Sequence, residues 1–168
     1  MAVSYDRGAG YGGDDGFKIR MGGQMRYSFP VSTSNTDVWL RGAVLRLRND
    51  GNVELDTGHG VASGLKGLAL ERRSPVGGRP EQDQVMAIDK VSLLLDQAII
   101  ITPQLTSGLA YAVNDRLYPD GAGKLRNTQL GTQPVMGKAL TATTGAADGS
   151  TTTIVALYSA QASMVQST

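Results

Sequence analysis

The chain predicts an all-β protein, a small β-barrel or sandwich with a glycine-rich extended N-terminal arm. Three observations predict it. Short apolar runs, several with period-two alternation, are divided by Asn, Asp and Gly turn signals at spacings of roughly 8–12 residues. Twenty-two of the 168 residues are glycine, a residue that regular elements disfavour and turns favour. Residues 42–73 are also echoed in residues 108–143. Each holds a short apolar run, an Asn-Asp turn, a polar crossing and a Gly-x-Ala-Leu segment: Gly67-Leu68-Ala69-Leu70 in one, Gly137-Lys138-Ala139-Leu140 in the other. Two such units point to small β-structure without crossover helices. The length fits one domain, large enough to bury about 70% of its unfolded surface. We divide it into an arm, residues 1–30, and a β domain, residues 31–168.

The arm is predicted from seven glycines within residues 1–23 and from the lack of apolar periodicity there. Tyr5, Tyr11 and Phe17 are its spaced aromatic anchors; simple terminal disorder is the alternative. Residues 25–31 alternate and read as a strand, with Pro30 tolerated at an edge or end. Residues 44–48 alternate Leu45 and Leu47 against Arg46 and Arg48. Asn49-Asp50-Gly51-Asn52 accepts positive φ, and Val53 and Leu55 then alternate with Glu54 and Asp56. That is a hairpin, 44–48 with 52–56, whose facing Arg and acidic side chains form cross-strand pairs of about 0.2–1 kcal/mol. Residues 65–70 read as a strand, and Ser74 to Pro80 as a break. Pro80-Glu81-Gln82-Asp83 has the composition of a helix start, while a strand over 85–88 is the alternative; the sequence leaves both open.

Residues 91–101 are the most apolar stretch. Leu93-Leu94-Leu95 and Ala98-Ile99-Ile100-Ile101 flank Asp96-Gln97, and the β-branched run before Thr102-Pro103 favours strand over helix. Residues 109–113 read as a strand ended by Asn114-Asp115, residues 118–123 as a turn cluster, and residues 135–140 as a strand. After the loop 143–150, residues 151–157 form a last β-branched strand.

Composition excludes several function classes. The formal charge of +1 supplies no basic field for a nucleic acid. Without cysteine there is neither a disulfide nor a thiolate metal site. No apolar run reaches the roughly 18 residues that span a bilayer, and the start lacks the pattern of a signal peptide, so a soluble protein made in the cytoplasm is expected. Gly8-Ala9-Gly10-Tyr11-Gly12-Gly13 has the letters of a dinucleotide motif, but no strand precedes it and Asp14-Asp15 follow, where they repel a pyrophosphate. The single histidine, His59, sits between glycines with no spaced ligand pair, and no Gly-x-Ser-x-Gly elbow exists. No Asp-x-Asp-x-Asp-Gly loop marks a calcium site. No catalytic residue, metal site or cofactor is therefore predicted. Arg72, Arg73 and Arg79 form the densest basic patch: a solvated loop, or a site for an acidic protein surface. Trp39, between Val38 and Leu40, reads as core, with an interface anchor as the sharper alternative.

From Leu105 to Leu157 a wider pattern emerges. Gly108-Leu109-Ala110-Tyr111-Ala112-Val113-Asn114-Asp115 is followed by Pro134-Val135-Met136-Gly137-Lys138-Ala139-Leu140, a Gly/Asp/Ser turn and Thr152-Thr153-Ile154-Val155-Ala156-Leu157. This resembles the small capsid decoration, or cement, proteins of tailed phages. The long glycine-rich N-terminus and the echo depart from that family's usual plan. The resemblance implies a non-enzymatic structural protein made in the host cytoplasm and carried on the capsid surface. It implies binding to the major capsid protein on the outside of the expanded shell, and self-association as a trimer, with a dimer the alternative. Neither nucleic acid nor membrane is implied as a partner. An N-terminal arm in such proteins adds a strand to the shell protein or lies across it. The capsid-contact candidates are then Tyr5, Tyr11, Phe17, Trp39, Arg72, Arg73 and Arg79. Rival readings are a tail or fibre component and a carbohydrate-binding β module.

Overall fold

A computed structural model describes residues 16–32, 34–57, 65–73 and 90–159. Over these residues the chain is all-β, with no helix. In chain order the strands are β1 (Lys18–Gly22), β2 (Arg26–Pro30), β3 (Val44–Leu47), β4 (Val53–Leu55), β5 (Lys66–Ala69), β6 (Lys90–Leu94), β7 (Ala98–Thr102), β8 (Ala110–Tyr111), β9 (Arg116–Pro119), β10 (Leu125–Arg126), β11 (Gly137–Ala139), β12 (Thr143–Thr144) and β13 (Thr153–Leu157). They form a six-stranded sheet in the order β1-β7-β13-β11-β9-β10, a five-stranded sheet in the order β2-β6-β5-β3-β4, and the small pair β12-β8. All strand pairs are antiparallel. Neither large sheet closes on itself, so of the two expected architectures the molecule is sandwich-like rather than a barrel.

The two large sheets share one core. Ile100, Leu117, Leu125, Ala139, Val155 and Leu157 come to it from the six-stranded sheet, and Val44, Leu68 and Leu94 from the five-stranded sheet. Period-two alternation sorts the side chains. In β3, Val44 faces this core, while Leu45 faces a second core with Val53, Ala69, Val91 and Leu93. That second core lies on the opposite face of the five-stranded sheet and is capped by Val31, Trp39 and Ala43. The central strand β5 is thus buried on both faces, whereas the edge strand β2 is largely exposed, and each fully buried Leu or Val contributes about 1.5–3 kcal/mol relative to exposure.

The sheets are joined by a shared strand pair. Residues 18–30 run antiparallel to residues 90–102: β1 lies on β7 in one sheet, and β2 on β6 in the other. Pairing continues through the crossing, where Gly23 N donates to Gln97 O at 2.9 Å and Leu95 N to Met25 O at 3.1 Å. Gly22 makes the crossing possible: its φ is +73°, and a Cβ there would collide with the Gln97 carbonyl. Residues 18–22, placed in the arm with the glycines of residues 1–23, are therefore paired in the six-stranded sheet, while β2 falls within the strand read over 25–31 and is paired in the five-stranded one. Residues 1–15 lie outside the described residues, as do the helix-or-strand alternatives at 80–88.

Other elements refine the sequence expectations. The hairpin is present as β3 and β4, with Arg46 opposite Glu54. The strand expected over 109–113 shortens to Ala110–Tyr111, because Asn114 turns the chain at φ +72°. Tyr118 and Pro119, expected in a turn, end β9; the turn begins at Asp120, whose carboxylate accepts from the amides of Ala122 and Lys124. The two echoed segments pair differently. Across the first Asn-Asp turn β3 pairs with β4, whereas across the second β8 pairs with β12 and β9 with β11.

Candidate functional site

Of the seven expected contact residues, Tyr5, Tyr11 and Arg79 lie outside the described residues. Two of the others are core. Phe17 is 2% exposed and packs with Val44 and Ile100. The Arg41 guanidinium lies 5.6 Å from its ring centroid and donates to the Phe17 carbonyl at 2.9 Å. Gly42, at φ +82°, lets this ring approach: a Cβ there would stand 2.6 Å from Phe17 Cδ2. Trp39 is 3% exposed and its indole donates to Glu71 O at 3.1 Å. Trp39 lies in the core, as its core alternative has it, and both rings are buried within the chain.

Arg73 is also buried. Its guanidinium lies over the Trp39 ring at 5.3 Å and donates to the carbonyls of Asp37 (2.9 Å) and Asn35 (2.6 Å), and its backbone exchanges two hydrogen bonds with Trp39. Burial lowers its pKa from the ordinary arginine value. An arginine used to hold residues 35–39 against the five-stranded sheet is unavailable to a partner. Arg72 is half-buried, so Arg72 and Arg73 do not form an exposed basic pair.

A buried ionic cluster fixes a second loop. Lys66 on β5 donates to Asp56 Oδ2 at 2.9 Å and to Gln133 Oε1, all three residues being buried. Gln129 in turn donates to the Gln133 carbonyl at 2.8 Å. Burial pushes the Lys66 pKa down, and Asp56 opposes that shift. The cluster ties the segment 129–133 to the five-stranded sheet.

Two surface depressions adjoin one another. One of about 350 Å³ is lined by Gly16, Leu40, Gln104, Lys124 and Asp148 among others; a second of about 200 Å³ shares Leu40, Gln104 and Lys124 and extends to Val38 and Trp39. Asp148 is held below the usual carboxylate range by hydrogen bonds from the Ser150 hydroxyl and amide. Among the described residues, Lys124 and Asp148 are the only charged ones in this lining.

The outer face of the six-stranded sheet carries a different surface. Antiparallel register places Met21, Ile99, Ala156, Lys138 and Arg116 opposite one another across β1, β7, β13, β11 and β9. A second row holds Lys18, Ile101 and Ile154, and Leu140 extends it by donating its amide to Ile154 O. Ile99, Ile101, Ile154 and Ala156 are half-buried, while Met21 is 66% exposed. The two rows are apolar in the middle, bear Lys18, Lys138 and Arg116, and hold no carboxylate. A shallow depression of about 380 Å³ lies at the Met21 end. Sequence reasoning took the Ile99-Ile100-Ile101 run only as a strand signal. Its lack of alternation was the readable sign that the outward side chains of β7 are apolar like the inward ones.

Among the described residues, no group of three or more His, Cys, Asp or Glu is placed to hold a metal ion. His59 lies outside them. What the described surface offers is a sheet face of apolar and cationic groups. No protein-family model matches the chain, and no curated protein matches it either.

Proposed function

We propose that this protein is a capsid decoration protein of a tailed phage. It binds the outer surface of the expanded shell and cements neighbouring major capsid subunits without catalysis or cofactor. The observation that carries this reading is the stretch 105–157. Its motifs resemble those of cement proteins, and β8 to β13 all fall within it. The all-β sandwich supports the reading, as does a wide sheet face bearing apolar and cationic side chains. Such a face suits a protein surface better than a small polar substrate, and copies assembled as trimers would multiply weak single contacts into firm attachment.

Co-sedimentation with expanded, decoration-free shells from the protein's own source tests this. Saturable binding at a fixed ratio to shell subunits is expected. Absence of binding, with rods or rings seen by light scattering, would replace this reading with a tail or fibre role.

A further inference from the structure

We propose that the outer face of the six-stranded sheet is the surface that docks on the shell, against a patch of the major capsid protein that is apolar at its centre and acidic at its rim. This rests on the decoration reading and names the surface that reading leaves unassigned.

Three observations carry it. First, β7 reads Ala98-Ile99-Ile100-Ile101-Thr102, and its neighbour β13 carries Ile154 and Ala156 outward. A sandwich strand open to water on one face alternates apolar with polar, whereas a strand covered on both faces does not. The sequence of β7 thus suits a sheet covered on its outer face as well as its inner one. Second, exposed or half-buried apolar groups are contiguous there, from Met21 through Ile99 to Ala156 and from Ile101 through Ile154 to Leu140. Contiguous patches of this kind mark interaction sites more often than scattered ones do. Third, Lys138 and Arg116 stand opposite each other in the first row, and neither row holds a carboxylate. A second copy stacked on this face would bring two more such cations to the same interface. A partner with carboxylates answers that charge, and charge complementarity selects partners and steers their encounter.

The chain has no cysteine, so one introduced thiol reports on this face alone. In Ile154→Cys, a maleimide is expected to react rapidly with the free protein and at least about tenfold more slowly once the protein is shell-bound. Leu140→Cys, exposed at the end of the same row, serves if Ile154→Cys fails to fold. The paired reversal Lys138→Glu with Arg116→Glu is expected to weaken shell binding by about tenfold or more, since like charges at an interface are repulsive. Shell binding with the thiol equally reactive would overturn this surface and leave the decoration reading standing. Wild-type protein that fails to bind shells would overturn both. A thiol already protected in the free monomer would assign the face to another segment of this chain. Protection that rises with protein concentration and mass would assign it to a second copy.

Discussion

Lys66 and Asp56 show how much one side chain decides in this molecule. Both are buried, and removing one partner of such a pair leaves the other charged and uncompensated. We predict that Lys66→Met costs about 3–5 kcal/mol in urea unfolding. The double change Lys66→Met with Asp56→Leu is expected to recover most of it, since an apolar pair of similar volume is often neutral or better. A double variant as unstable as the single one would contradict this. The pH dependence has a definite sign. Burial lowers the Lys66 pKa below its ordinary 10.5, so in the window that ends at 10.5 the unfolded chain binds the proton more tightly. Stability contributed by this group therefore rises with pH through that window, and the double variant should show a shallower rise there. Trp39 is the other decisive side chain, and the only tryptophan. Its emission should be that of a buried indole, poorly quenched by acrylamide, and Trp39→Ala is expected to cost about 3–5 kcal/mol. Its core placement was expected from the apolar run Val38-Trp39-Leu40, although Val38 and Leu40 themselves are exposed. The burial of Arg73 was not, because an arginine is expected outside until carbonyls such as those of Asn35 and Asp37 are seen to satisfy its guanidinium.

At the level of elements, the β3–β4 hairpin and the shared strand pair are stabilised differently. Arg46 and Glu54 face each other across the hairpin with an ion pair of 2.6 Å, both partly exposed. A double-mutant cycle on this pair should give less than about 1 kcal/mol, falling as salt is added. A coupling of several kcal/mol would mean the pair is far better shielded than its exposure indicates. The crossing at Gly22 is less forgiving. Gly22→Val demands both a left-handed φ and a collision with the Gln97 carbonyl. It is expected to lower the unfolding midpoint by more than Gly51→Ala, where a Cβ meets nothing although φ is also positive. Local signals wrote the hairpin plainly: alternation on each side of Asn-Asp-Gly, with partners only about ten residues apart. The same signals hid β1, because Gly22 and Gly23 lower strand propensity while serving the crossing. They also hid the division of residues 90–102 between two sheets, since the partner segment lies some 70 residues earlier and leaves no local mark.

For the whole molecule, two cores and one shared strand pair imply a single cooperative unit. Leu117 belongs to the core between the sheets and Leu93 to the second core. Leu117→Ala and Leu93→Ala are each expected to cost about 2–5 kcal/mol. In both variants Trp39 fluorescence and far-UV circular dichroism should report the same midpoint. Trp39 sits in the second core, so a Leu117→Ala variant whose circular dichroism falls first would mean the sheets unfold separately. The all-β class was legible from spacing and turns because those are local. The choice of sandwich over barrel, the second core and the outer face of Ile99, Ile101 and Ile154 were not, because they depend on which distant strands meet.

The pairing of residues 18–30 with residues 90–102 also sets a timetable for synthesis. Lys18 waits for Ile101, about eighty residues later in the chain. At about 5–20 residues per second, translation leaves β1 and β2 without their partner strands for about 4–16 s. Through that interval the nascent chain presents Met21, Tyr27 and Phe29 without a sheet to join. Contacts this distant also belong to the slow, millisecond-to-second class of folding reactions. The earliest residues of the fold to leave the ribosome are thus among the last to be secured.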